Sequence, residues 1–317
     1  MYQGAIDNQT PDQKAKNYSF NEMVVSANPV LWEERDWKRY PIRMQDGSGS
    51  CVAQTIALMY SIIFKQRYNL WKDFSSSFPY RRRSDKTQSG MQSTDVLNIV
   101  PKIGNVFEDY LIGQNMSDSQ IDSLTELSFL EDMAVLYKMN VITFPTLDFE
   151  EIASVTQTTG KGIMVWFKFA IADWTDIPFN SGQPIISGHS VTVVDAVLYK
   201  GKKYLVIQDS WGQSFGLNGF RLISEEYFKD RCFFACYFMS FKKLVEATDK
   251  PHFDGSIKSL QDILKYEGFF ALNIDSTGIF GNITQAALIS FQKKYNIVPS
   301  LGNFGPLTKA KLLELYP

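Results

Sequence analysis

The 317-residue sequence predicts an α+β fold followed by a small all-helical domain, and three observations carry that prediction. Helix-patterned segments come first and strand-like runs come later, an order that favours α+β over alternating βαβ units. The polar stretch EATDKPHFDGS, residues 246–256, contains Pro and Gly and reads as a connection between domains. Beyond it the periodicity turns helical and a short repeat appears: GIFGNITQAAL at 278–288 matches GNFGPLTKAKL at 302–312 in Gly, Phe, Gly, Thr, Ala and Leu.

The elements follow in order. Residues 1–28 are polar and weakly patterned, an N-terminal arm. The large domain is placed at 29–247, the linker at 248–255 and the helical domain at 256–317. A helix opens at Cys51 in CVAQTIALMYSIIF, directly behind the flexible stretch QDGSGS. A second covers STDVLNIVPKIG, with Pro101 ending or kinking it, and a third lies in LSFLEDMAVLYKM. GIMVWFKF, HSVTVVDAVLY, KYLVIQDSW and CFFACYFMSF read as strands, the middle two joined as a hairpin at Lys200-Gly201-Lys202. In the repeat, a Gly-rich turn delivers Thr284 or Thr308 to the start of the next helix, where each is expected to cap it.

Composition narrows the function classes. Apolar residues make up 44% and charges 21%, a globular balance. A net charge of −2 argues against nucleic acid as partner. The run Arg81-Arg82-Arg83 reads as a solvated loop face. Three cysteines form no disulfide framework, and two distant histidines with scattered cysteines form no metal ligand set, so no metal and no cofactor are expected. The start lacks a basic n-region and an apolar h-region, so no signal peptide is expected and synthesis in the cytoplasm is. No apolar run is long enough to span a bilayer, and membrane insertion is not expected.

Cys51 at a helix mouth raises a chemical question. A thiol attacks as thiolate, and a helix N-terminus or a neighbouring imidazolium favours that form. Since His252 falls in the linker, His189 is the histidine available within the large domain, and it opens the strand HSVTVVDAVL. The partner strand of the hairpin ends at Asp209, within reach of the far nitrogen of His189, with Trp211 two residues on to cover that bond. The backbone N–H of Cys51 and the side-chain amide of Gln45 supply two donors for an oxyanion.

These residues resemble the papain-like cysteine peptidases. LWEERDWKRYPIRMQDGSGSCVA is similar to that family's mature start, with Gln45 six residues before Cys51. Gly188-His189-Ser190-Val191 corresponds to its G-H-A-V segment, and DSWGQSFGLNGF from Asp209 to its N-S-W-G-x-x-W-G-x-x-G-Y/F segment. SGMQSTDVLNIVPKIGNVFEDYLIG is similar to the segment lining the substrate cleft, which implies that Ser89 and Gly90 lie beside a bound peptide backbone, and Gly188 and Trp211 belong to the same substrate surface. The resemblance implies a two-lobed fold and a Cys-His-Asp triad. It departs at Asp209, where the family has Asn, at Val52, where it has Trp, and in the absence of stapling cysteine pairs and a long prosegment.

Residues 256–317 resemble the three-helix peptidoglycan-binding domain, through Leu260-Gln261, Gly278 to Thr284, Phe291-Gln292 and Gly302 to Thr308. The resemblance implies a wall ligand but does not say which residues hold it. Together the two halves imply a cysteine endopeptidase targeted to the bacterial cell wall, acting there or on a virion. It would be either a phage-type lysin cutting wall peptides or a peptidase of envelope proteins. The alternative is an inactive papain-like protein that only binds the wall, for which Asp209 and Val52 are the support. An amidase of the CHAP type is disfavoured because it has no counterpart of the segment following Asp209.

Overall fold

The computed structural model describes residues 4–15, 29–126, 129–240, 251–270 and 276–317. The chain divides into two units, Met1–Glu126 with Met139–Met239, and Leu127–Lys138 with Ser240–Pro317. The expected linker at 248–255 falls partly outside the described residues, as does most of the expected arm at 1–28.

The larger unit has a helical lobe and a sheet lobe. Before them, β1 (Ala5–Ile6) and α1 (Pro11–Ala15) form the described part of the arm. The first lobe is built on α2 (Cys51–Tyr68), in which every side chain from Cys51 to Phe64 is buried. Burial all round explains why this helix shows no polar stripe. It ends where Asn69 turns left-handed, with Lys65 Nζ donating to the Asn69 carbonyl at 3.1 Å. Phe74 and Phe107 meet edge-on at 4.8 Å, and Phe64 meets Phe107 at 5.3 Å, an aromatic core under α2.

Around it lie α3 (Ser77–Arg81), β2 (Met91–Gln92), α4 (Ser93–Asn98), which continues as a π-turn at Ile99–Ile103 holding Pro101, and α5 (Asp118–Ser123). The arginine run is not a solvated face. Arg82 forks onto Glu126 at 3.0 and 2.7 Å and Arg83 onto Asp122 at 2.9 and 2.7 Å, and their guanidinium groups lie over Phe78 and Tyr80. Arg83 is buried, so the run fastens α3 to α5 and the residues just beyond it.

The sheet lobe is a six-stranded antiparallel sheet made of β3 (Val141–Thr143), β4 (Ile163–Phe169), β5 (Ser187–Tyr199), β6 (Lys202–Gln208), β7 (Phe220–Ser224) and β8 (Cys232–Phe238), in the order β3-β8-β4-β5-β6-β7. The hairpin between β5 and β6 turns on Lys200 and Gly201, both at positive φ, as a two-residue loop of right-handed twist requires. The smaller elements α7 (Phe149–Thr159) and α8 (Glu225–Arg231) also belong to this unit. Leu58 and Ile62 of α2 pack against Val194, Val197 and Val206 of the central strands, so the face of α2 that carries the cysteine is anchored on the sheet.

The second unit contains α6 (Leu130–Ala134), then α9 (Ile257–Tyr266), α10 (Asn282–Lys294) and α11 (Pro306–Leu315). The repeat has a structural meaning different from the expected cap. Gly281 and Gly305 occupy the cap positions of α10 and α11, and neither helix has a side-chain cap. Instead a glutamine from the preceding helix closes each turn. Gln261 donates to the Ile279 carbonyl at 3.0 Å and to Thr284 Oγ1 at 2.9 Å, while its oxygen accepts from Gly278 N–H at 3.0 Å. Gln292 does the same with Asn303, Thr308 and Gly302, each at 2.8 Å. The threonines are partners of these amides, not caps.

Candidate active site

The loop before α2 places the thiol. Asp46 and Gly47 are consecutive left-handed residues, and this reverses the chain so that Gln45 folds back beside the helix mouth. Ser50 stands at the cap position but makes no capping bond; its hydroxyl pairs with Ser48 Oγ at 2.6 Å. The first amides of α2 therefore have no capping side chain, and the positive end of the helix points at the site. Gln45 is held at both ends of its amide: Nε2 donates to the Ser48 carbonyl at 2.7 Å and Oε1 accepts from Ser210 Oγ at 2.6 Å. One N–H of Nε2 remains for a further acceptor.

His189 is the third residue of β5, the first buried one after two half-buried positions, and Asp209 lies just beyond the end of β6, so the hairpin sets them side by side. His189 Nε2 lies 2.8 Å from Asp209 Oδ1, and both side chains are almost fully buried. Cys51 lines the same cavity as this imidazole, and the bond to Asp209 leaves Nδ1 for the sulfur. Burial alone would lower the pKa of His189, but the charge and hydrogen bond of Asp209, then the Cys51 contact, raise it to about 9. Burial would raise the pKa of Asp209, yet His189, Arg221 and Trp174 hold it far below the usual carboxylate range.

Two members of this network were not picked out from the sequence. Asp209 Oδ2 accepts from Trp174 Nε1 at 2.8 Å and from Arg221 Nε at 2.9 Å. Arg221 is itself buried, donates through Nη1 to the carbonyls of Trp174 and Thr175, and lies over the rings of Trp174 and Trp211. The Asp that stands where the resemblance expects Asn thus has its own counter-charge. Trp174 sits edge-on to the imidazole with centroids 5.3 Å apart, and Trp211 lies at 5.3 Å on another side. The cover expected of Trp211 is shared by two indoles. The sequence carried one signal for Arg221: a cation at an inward strand position, in GFRLIS, demands a buried anion.

The expected cleft residues are placed as follows. Ser89 donates to Asp118 Oδ2 at 2.6 Å, and the Gly90 amide donates to Tyr80 Oη at 3.1 Å, so both are already engaged within the protein. The amide that serves a strand lying here is Met91's, which donates to the Gly4 carbonyl at 3.0 Å. Asp118 also accepts from Gly49 N–H at 3.0 Å and from Tyr80 at 2.8 Å, joining the loop before Cys51 to the Ser89–Gly90 edge. The two abut so closely that a Cβ on Gly49 would meet Ser89 Oγ at 2.1 Å.

The arm occupies this edge. β1 pairs in parallel with β2, Ala5 opposite Met91 and Ile6 opposite Gln92. Gly4 N–H donates to Ser187 Oγ at 3.2 Å, and a Cβ on Gly4 would stand 2.0 Å from the Gly188 carbonyl and 3.4 Å from Cys51 Sγ. Gly188 thus borders the arm as well as the cleft. A cavity of about 550 Å³ opens at Cys51, lined in part by Gly4 of the arm and by Gln45, Cys51, His189 and Trp211. Among the described residues no group of three His, Cys, Asp or Glu side chains is placed to hold a metal ion, and no helix is long and apolar enough to cross a membrane.

Comparison with known structures gives the fold a name. The chain is similar to xylellain, a cysteine protease from Xylella fastidiosa, with a TM-score of 0.61 at 16% identity over 75% of this chain and 96% of that one. It is also similar to digestive procathepsin L 3 of the Tenebrio molitor larval midgut, with a TM-score of 0.51 at 13% identity over 75% and 73% of the two chains. A surface-layer-associated cysteine protease of Clostridium difficile, solved with its lectin-like domain, gives 0.50 at 13% identity over 72% and 56%. Residues 254–312 match the family model of a peptidoglycan binding domain. No curated protein matches the sequence. The chain therefore joins a papain-like cysteine protease fold to a C-terminal peptidoglycan-binding domain.

Proposed function

We propose that this protein is a cysteine endopeptidase, with Cys51 as nucleophile, His189 as acid and base, Asp209 as orienting carboxylate, and the wall-binding domain as its tether. The observation that carries the reading is the convergence of Cys51, His189 and Asp209, with Gln45 beside them, in one buried constellation. In this mechanism His189 Nδ1 takes the thiol proton and the sulfur adds to the scissile carbonyl. The oxyanion is held by the Cys51 N–H and the free N–H of Gln45 Nε2. The imidazolium then gives its proton to the leaving amine as the C–N bond breaks. Water, deprotonated by His189, hydrolyses the thioester and restores the thiol. Asp209 keeps the imidazole in the tautomer that faces Cys51.

Residues 254–312 concentrate this chemistry at the cell wall, whether the peptide cut is a wall cross-link or a protein lying on it. The test is activity of the wild type and of Cys51→Ala on purified wall and on casein, side by side. Loss of both activities in the variant is expected. Activity that survives the substitution refutes the assignment. Iodoacetamide labelling at neutral pH gives a second readout: Cys51 is expected to react well before Cys232, whose thiol burial pushes up to about 12, and Cys236, which burial raises further.

A further inference from the structure

A further buried ion pair stands outside the triad, and no step of the proposed mechanism uses it. Asp173 ends a 3₁₀ turn at Ile171–Asp173, just after β4, and its carboxylate is shut off from water. Oδ1 accepts from the amide of Ser181 at 2.9 Å and from the hydroxyl of the same residue. Oδ2 accepts from the Ala170 amide at 3.3 Å and stands 3.4 Å from Nη2 of Arg231, the last residue of α8. Arg231 is buried too, and it donates to Asn180 Oδ1 at 2.6 Å. The loop from 170 to 181 is thus wound round one carboxylate and fastened to α8. Asp230 and Tyr227 complete the ionisable groups near this pair.

A buried ion pair is a poor source of stability, because desolvating both charges offsets most of their attraction. What this one fixes is geometry. The residue that follows Asp173 is Trp174, and both of its polar ends serve the triad. Its indole donates to Asp209 Oδ2 at 2.8 Å. Its carbonyl accepts at 2.9 Å from Nη1 of Arg221, the guanidinium whose Nε donates to the same Asp209 oxygen. A turn that rotated at Asp173 would carry the indole off the carboxylate. The charged groups facing Asp209 are His189 and Arg221, so a carboxylate deprived of the indole N–H turns more of its acceptor strength on the imidazole.

We infer that Asp173 and Arg231 are positioning residues for the triad: they hold the turn that delivers the Trp174 indole to Asp209. This role rests on the proposed peptidase reading for what the triad does, and it extends the site from the imidazole to the end of α8.

The test follows the triad in the full chain without needing a substrate. Iodoacetate, an anion drawn to the imidazolium beside the thiolate, alkylates Cys51 more slowly once His189 loses its proton, so the alkaline limb of the rate reports the imidazole. Asp173→Asn and Arg231→Gln are both expected to move that limb up by about half a pH unit, because a carboxylate short of one donor holds the imidazolium harder. A through-space effect of the two charges would instead move the variants in opposite directions, since one removes an anion and the other a cation. Trp174→Phe is expected to give the same upward shift. Asp173→Asn placed on top of it is expected to add less than about half of that shift, as no indole is left to displace. The indole N–H resonance of Trp174, identified by its loss in Trp174→Phe, is expected to move upfield in Asp173→Asn and Arg231→Gln.

Asp195→Asn is the control. That carboxylate is equally buried and is paired with Arg35 at 2.6 and 2.8 Å, and its other partners, Lys38 and Ala196, are not in the loop. It is expected to lower the melting temperature and leave the limb and the resonance unmoved. Thermal melts check folding, and Ser181→Ala, which removes one donor to Asp173, gives a milder perturbation with the same expected direction should Asp173→Asn not fold. An unmoved limb, opposite shifts, a shift undiminished in the Trp174→Phe background, or an equal shift in Asp195→Asn overturns the inference. If limb and resonance move as expected while wild type hydrolyses no peptide, the positioning role stands and the peptidase reading is what fails.

Discussion

Asp209→Asn restores the residue that the family resemblance expects, and in this protein it is predicted to be damaging. The carboxylate accepts four donors: His189 and the Ser210 amide on Oδ1, Trp174 and Arg221 on Oδ2. An amide has one oxygen. With that oxygen toward His189, the NH₂ faces the N–H groups of Trp174 and Arg221, and a buried guanidinium loses its counter-charge. Breaking a buried ion pair from one side costs about 3–5 kcal/mol. Arg221→Gln is expected to cost a similar amount, because Asp209 then keeps His189 but loses its permanent cation. The double variant Asp209→Asn/Arg221→Gln removes both charges, and its stability loss is expected to fall short of the sum by about 2–3 kcal/mol. Urea melts of the four proteins measure this directly.

The pH profile of kcat/KM on a fluorogenic peptide gives a readout that packing alone does not move. The gap between 6.5 and about 9 for His189 corresponds to roughly 3 kcal/mol favouring the charged imidazole. Because its folded pKa lies above the unfolded one, that stabilisation is full below pH ~6.5 and is lost as pH rises through about 9. Asp209→Asn is expected to pull the alkaline limb down and Arg221→Gln to push it up. Losses that add to within about 0.5 kcal/mol, with an unmoved alkaline limb, would refute the idea that Arg221 balances the triad.

Three further outcomes are expected. Gln45→Ala lowers kcat about 10²–10³-fold on a peptide substrate with little change in KM, the loss of one oxyanion donor, and an unchanged kcat sinks that role. A chain starting at Pro29 hydrolyses a dipeptidyl fluorogenic substrate faster than the full chain, because Gly4 no longer stands against Cys51 and Met91 is free to pair with substrate; equal rates show that the arm does not block the cleft. Gln292→Ala leaves the Gly302 amide, the Asn303 carbonyl and Thr308 without their buried partner, which costs about 2–3 kcal/mol and lowers retention on purified wall at 37 °C, as read by melting and sedimentation with wall.

What was legible in the sequence was what a local pattern enforces. The start of α2 at Cys51, the hairpin turn at Lys200 and Gly201, and the strands carrying His189 and leading to Asp209 follow from periodicity and turn chemistry. Trp174 sits in a short turn after β4, where nothing in the neighbouring residues announces a partner 35 positions away. Asp118 is the first residue of a short helix, and its use as an acceptor for three segments is set by tertiary packing that no local pattern announces. The arginines at 81–83 misled because a run of like charge usually faces water, whereas here acids more than thirty-five positions on reach back to neutralise it. The repeat threonines misled differently: their place near a helix start was right, but a buried glutamine claimed them before they served as caps.

Asp118 also bears on how one wall of this crevice keeps its shape. One side-chain carboxylate ties the loop before Cys51, through Gly49, to the adjoining edge at Ser89, and the three cysteines are free thiols. A fastening of that kind is indifferent to thiol–disulfide exchange. Reductant that slackens a cystine-stapled groove leaves this one taut, so the same dithiothreitol that keeps Cys51 reduced does not loosen its frame.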